Sequence, residues 1–453
     1  MTDQTRPALT ESQIRQAVRL SYAQAMLFSI FAASTGGMFL IGYALKLGAD
    51  DLRIGLLSSI PMVCVVAQLL SSVAVERGMS RKRLTVIFAT LQVLGWACII
   101  LIPYAAAKYS PMARVGTLIA IITLVSFFGQ IAGNARGSWV GDLIPAAFRG
   151  TFFGRTMLYG GIVGTVFALG EGWFLDIAKT MDIGAFSLLF GCGMVFGLIS
   201  VGLFLPQADV PVMRHADGMR FRDLARATFK NGPLMALIVC HTLWAMQSVA
   251  GPFYATYMLR DLHMPFLGVG ITNAALMLVM LSTSPFWGRV VDRYGCKPVL
   301  IFCILAFAPI QAVWLPLDTA AKVYAVIIPV NLWVGFLIAG VSVAISTLIY
   351  NLTPVAGRSV QFAVYGIIVT LIAAPMPAIG GLIPRWTSAL GLGSDLRYTF
   401  YIGGVFTLLA GLAACRLKET HAKPVDEMVR NLPRHLMDPA TLAQMAVLDP
   451  PKS

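Results

Sequence analysis

From Gly288 to Pro298 the chain reads G-R-V-V-D-R-Y-G-C-K-P, a turn marked by glycine and charge and set between two long apolar runs. A weaker copy, S-V-A-V-E-R-G-M-S-R-K-R, occupies Ser72–Arg83, so Gly288, Asp292 and Arg293 fall 216 positions beyond Ser72, Glu76 and Arg77. A second pair of stretches supports this register. D-L-I-P-A-A-F-R-G at Asp142 recurs 209 positions later as N-L-T-P-V-A-G-R-S at Asn351, with Asp142, Leu143, Pro145, Ala147 and Arg149 falling on Asn351, Leu352, Pro354, Ala356 and Arg358. The chain is written as two related halves.

Composition identifies the solvent around those halves. Of 453 residues 57% are hydrophobic and only 12% charged, about half the charged fraction of a soluble globular domain. A helix needs roughly 20 apolar residues to cross a bilayer, and stretches of that length recur between short polar breaks. Spans are expected near 21–46, 54–75, 84–106, 115–141, 150–174, 184–206, 233–258, 265–288, 298–316, 323–350, 359–384 and 398–416, giving an all-α membrane protein of twelve helices. The seven cysteines lie in or beside these spans without a C-x-x-C or Cys/His cluster, so they read as small packing residues, and no metal or cofactor is implied.

Most of the 34 Lys and Arg fall on one side if the N-terminus is cytoplasmic, and this bias places both termini inside. The net charge of +13 then reflects topology, since no basic patch with interleaved aromatics points to nucleic acid. The first twenty residues lack the apolar core and cleavage site of a signal peptide and read as a cytoplasmic lead-in. Residues 207–232 form the one long polar linker; they separate an N-terminal half (1–206) from a C-terminal half (233–416), and a proline-bearing tail (417–453) reads as loosely ordered. Within the linker, F-R-D-L-A-R-A-T-F-K has the spacing of a helix lying on the inner surface.

The G-x-x-x-D-R-x-G-x-K-P stretch after the second helix of a six-helix half resembles the signature loop of the major facilitator superfamily. The D-x-x-P-x-x-x-R-G stretch is similar to a loop seen in many of its members. The resemblance covers the whole transmembrane region and implies a secondary transporter with two pseudo-symmetric halves, although Ser72 and Glu76 depart from the signature in the first copy. Physically, Gly288 would let two helices approach and Gly295 would turn the chain, while Asp292 would accept from the free N–H groups at a neighbouring helix start. Asp142 can cap and Pro145 fixes a turn. Glu76, Arg77, Asp142, Arg149, Gly288, Asp292, Arg293 and Arg358 are therefore the expected conformational gate, with Asp292 near Gly150 and Arg149, and Glu76 near Arg358.

Two halves packed about a pseudo-twofold axis would hold a substrate near the midplane. Candidate contacts are the polar residues within spans: Thr35, Gln130, Asn134, His241, Trp244, Gln247, Ser248, Asn273, Asn331 and Tyr365. His241, Trp244 and Ser248 share one helical face at i, i+3 and i+7. The competing structural reading is that buried amides, hydroxyls and His hold helices together. Glu171 is the one carboxylate placed clearly within a span, and it and His241 are the candidates for proton coupling. Arg136 and Arg155 are placed near inner helix ends, which favours an uncharged or weakly polar organic solute. No nucleotide-binding loop and no acid–base cluster is present, so an enzyme is not expected. The expectation is a monomeric carrier in the lipid bilayer of a bacterial inner membrane, acting on a small molecule and coupled to protons as symporter or antiporter. A receptor or assembly factor that keeps the fold is the alternative.

Overall fold

A computed structural model describes residues 10–105, 108–144, 149–210, 228–314, 316–353, 358–419 and 422–436. Twelve helical segments among the described residues are long and apolar enough to cross a membrane. They run Glu11–Lys46, Asp51–Val75, Arg81–Ala105, Pro111–Leu143, Phe152–Ile177, Ile183–Gly202, Gly232–Asp261, Phe266–Tyr294, Cys296–Trp314, Ala320–Leu352, Val364–Ala389 and Arg397–Cys415, and are called spans one to twelve. The positions follow the apolar runs. Span one starts earlier than its apolar run because Thr10 and Gln13 form a capping box that satisfies the first free N–H groups outside it.

Four spans are broken near mid-length, span two by a 3-10 turn over Cys64–Val66. Span one leaves the helix at Gly36, whose backbone is extended, and restarts at Gly37, with φ +51°. Span seven tightens into a 3-10 turn over Gln247–Val249, at the corresponding place in the second half. Span eleven breaks between Ala373 and Met376. There Gly380 faces the Val249 carbonyl oxygen, which a Cβ would meet at 2.1 Å, so only glycine lets these two spans come together.

The chain divides into two compact units, Met1–Arg53 with Val63–Ala216 and Pro265–Leu267, and Ile54–Met62 with Asp217–Met264 and Gly268–Ser453. In the first unit span one packs against spans five and six, and span three against span four. Trp139, Leu143, Phe152 and Phe204 form a buried cluster at one end of this bundle. The second unit has a larger core running through spans seven to twelve. Cys240, Cys296 and Cys303 are buried there as packing residues, whereas Cys98, Cys192 and Cys415 are exposed.

The tail departs from its sequence expectation. Val425–Leu436 is a helix, and its Met428 and Leu432 are buried in the core of the second unit. Proline composition suggested loose order, but two apolar residues four apart give this short helix a face to bury. The linker stretch expected to lie on the inner surface falls outside the described residues up to 227.

Both signature loops turn through a glycine at positive φ: Gly78 at +95° and Gly295 at +93°. The first copy therefore keeps the turn although Ser72 and Glu76 depart from the signature. Gly288 differs from expectation, since a Cβ there would meet no described atom within 4 Å and close helix approach does not account for it.

Candidate functional site

The candidate residues of the first unit fall into two polar groups. In one, Gln68 of span two donates through Nε2 to Gln130 Oε1 at 2.7 Å, and Asn134 donates through Nδ2 to the Gln68 carbonyl and to Ser72 Oγ, both at 3.2 Å. Gln68 thus links both span-four candidates to span two. In the other, Ser34 of span one donates its hydroxyl to Glu171 Oε1 of span five, and Glu171 Oε2 is buried with no partner among the described residues. Glu171 borders a cavity of about 430 Å³ whose other walls include Val166, Phe167, Phe174 and Leu189, so the carboxyl is a polar point on an apolar surface. Thr35 instead donates to the Phe31 carbonyl of its own helix.

The second unit brings together two candidates from different spans. His241 Nδ1 and the Tyr365 hydroxyl share a hydrogen bond between spans seven and eleven, with ring centroids 5.5 Å apart. One turn further along span seven, Trp244 sets its edge against Phe307, centroids 5.1 Å apart. Gln247 Oε1 accepts from Gln311 Nε2 at 3.4 Å, and Gln311 Oε1 accepts from the Tyr254 hydroxyl. Ser248 Oγ is buried and unpartnered among the described residues. It lies beyond the point where the helix tightens, so the i+7 spacing no longer fixes it on the face of His241. Asn331 donates to the Thr272 carbonyl at 2.7 Å, which ties span ten to span eight, and Asn273 is exposed.

Of the expected gate residues, Arg77, Asp292 and Arg293 are exposed. Asp142 pairs with Arg81, Oδ2 to Nη1 at 2.9 Å. The side chains of Glu76, Arg149 and Arg358 lie outside the described part of the structure.

The family profile described as Major Facilitator Superfamily matches residues 236–448. The structure is similar to that of the nucleoside transporter NupG, with a TM-score of 0.65 at 16% identity over 89% of this chain and 98% of that one. It is equally similar to the inward open conformation of the xylose transporter XylE from E. coli, with a TM-score of 0.66 at 14% identity over 92% of this chain and 99% of that one. The chain has the major facilitator fold, and its second half matches that family's profile. It is an integral membrane protein of that fold. Among curated relatives it is 27% identical over 252 residues to the glycine betaine/proline/ectoine/pipecolic acid transporter OusA of Dickeya dadantii (strain 3937). That match spans about half of either protein, 49% of this chain and 47% of the relative.

Several residues of this chain escaped the sequence reading. Gln68 and Gln311 are amides inside apolar runs, and the search that found Gln130 and Gln247 could have found them too. Arg81 and Glu419 gave no such signal. Each lies in a polar stretch rich in charge, and only the fold reveals that Arg81 is 5% exposed and that Glu419 accepts from the backbone of Cys296 and Lys297.

Proposed function

We propose that this chain is a secondary transporter that moves a small organic solute of low net charge across a bacterial inner membrane by alternating access. Both termini are cytoplasmic, in keeping with the distribution of Lys and Arg. Transport is coupled to protons through Glu171. One observation carries this reading: a carboxyl within a span, with one oxygen held by Ser34 and the other buried without a donor. A carboxyl in such a setting needs either a proton or an arriving cation, because an isolated charge away from water is costly. A group that exchanges one for the other as it is exposed to either side is what coupling requires. His241 with Tyr365, and Gln247 with Gln311, then supply polar groups to the solute path in the second half.

The solutes named for the relative from D. dadantii are the first to test. In proteoliposomes, a pH gradient should drive accumulation of glycine betaine or proline by the unmodified protein. Glu171→Gln should abolish that accumulation while leaving exchange of labelled for unlabelled solute. Continued uphill accumulation by Glu171→Gln would remove Glu171 from coupling.

A further inference from the structure

Arg136 carries a positive charge inside the first unit with no group of opposite sign against it among the described residues. The sequence placed it near a helix end, but its side chain turns inward among spans one, three, four and six. Nη1 donates to Gln24 Oε1 at 3.2 Å, and Gln24 Nε2 donates in turn to Ser200 Oγ at 3.1 Å, so the amide is held with its oxygen toward the guanidinium. The guanidinium carbon lies 5.5 Å from the centre of the Phe28 ring, a distance at which the ring face attracts the cation. Beside it is a cavity of about 80 Å³, bordered also by Gln92, Gly133 and Ser200.

The ion pairs among the described residues do not include Arg136. Arg81 makes the contrast, because it is also turned inward and has Asp142 at 2.9 Å. Among the described residues Arg81 has a sealed, unpartnered nitrogen in Nε, whereas Arg136 borders the cavity. Gln24 is a neutral acceptor and takes one of five donors. An arginine held within a membrane protein without a carboxylate marks a place where an anionic group arrives, since its retention is otherwise costly. The planar fork of donors matches a carboxylate in particular. A water takes about 30 Å³, so the cavity has room for roughly two waters, about the size of a carboxylate group.

We infer that Arg136, held by Gln24 and Phe28, is the recognition group for a carboxylate on the transported solute. This rests on the transporter reading above and narrows its solute class: one carboxylate on a molecule whose net charge is low or, in a zwitterion, zero. Arg136 is the one cation among the described residues that border the cavity, which matches a single carboxylate.

Matched pairs of solutes test it, using the full chain in proteoliposomes. Glycine betaine is compared with choline, and proline with prolinol, each pair differing at the carboxylate. The carboxylate member should be taken up and the alcohol should not. Arg136→Gln should lower uptake of the carboxylate member roughly 10- to 100-fold, the range for losing a charged hydrogen bond. Arg136→Lys, which keeps the charge and loses the fork, should fall between. Equal uptake of both members of a pair, or full uptake of the carboxylate by a correctly inserted Arg136→Gln, would overturn the inference and leave the transporter reading standing. Should Arg136→Gln fail to fold, the pairs on the unmodified protein still decide the matter. Movement of no member of either pair by correctly inserted, unmodified protein would count against the transporter reading itself, a result distinct from the other two.

Discussion

The loop after span two and the loop after span eight descend from one pattern and turn through the same kind of glycine, yet they are anchored by opposite charges. In the first half a cation is the anchor. Arg81 reaches the Ser138 carbonyl at 3.1 Å, Asp142 at 2.9 Å and the Val210 carbonyl at 3.1 Å, and Lys82 reaches the carbonyls of Leu205 and Gln207 at 2.8 and 2.6 Å. In the second half an anion is the anchor. Glu419 accepts from the backbone N–H groups of Cys296 and Lys297 at 3.0 and 2.7 Å, at the positive end of the helix that follows the loop. Beyond Ser138 and Asp142 of span four, the partners come from corresponding places: Leu205, Gln207 and Val210 just after span six, and Glu419 just after span twelve. What has been kept is a tie between the loop and the exit of the half's last span; the chemistry of the tie has not. Asp292, the acid of the signature, is exposed while Glu419 does the capping within this half.

The largest expected effect lies in the first loop. Arg81→Ala removes one donor from Asp142 and one from each of two carbonyls in a site where the arginine is 5% exposed. Breaking a buried pair from one side costs about 3–5 kcal/mol. Thermal unfolding of the purified protein should register a loss of that order, and a loss under ~1 kcal/mol would mean that Lys82 alone holds the loop.

The second loop should respond less, because its anchor is a carboxylate against helix N–H groups in a half-buried place, worth up to about 2 kcal/mol. Cys296 reports on it directly, being buried beside Glu419. With Cys296 as the sole cysteine, Glu419→Gln should speed maleimide labelling as the tail lifts from the helix start. Unchanged labelling would mean that Met428 and Leu432 hold the tail by themselves, and the two loops would then differ in kind as well as in sign.

How much of this was legible follows from the range over which each signal acts. Span number and loop register are local or periodic: apolar runs of about 20 residues, glycines at fixed spacing, two nearly equal offsets of 216 and 209. Arg81 with Asp142 and Cys296 with Glu419 join residues far apart in the chain, and charge in a polar loop has no periodicity to mark which member turns inward. Single polar residues within spans were legible as candidates, and their partners were not. Glu171 could be named from its scarcity, but Ser34 came only from the packing of span one on span five. Arg136 was legible as a cation near the inner end of span four, and its inward contacts with Gln24 and Phe28 were not.

The smallest expected effect tests the one signature residue that the second loop leaves unexplained. Gly288 sits inside span eight, and an added Cβ would meet no described atom within 4 Å. Glycine in a helix interior is less favourable than alanine by about 0.5–1 kcal/mol, so Gly288→Ala should raise thermal stability by up to that amount. A carrier that alternates must pack its helices in more than one way, and a position that is open in one arrangement can be closed in another. If Gly288 serves a second arrangement, Gly288→Ala should be slightly more stable and slower in transport, because the added methyl favours the state in which it has room. Gain in stability with an unchanged rate would show that the glycine is dispensable, leaving the tie to the end of the last span as the feature that both loops share. Loss of stability would mean that the helix around Gly288 is packed more closely than the 4 Å clearance implies.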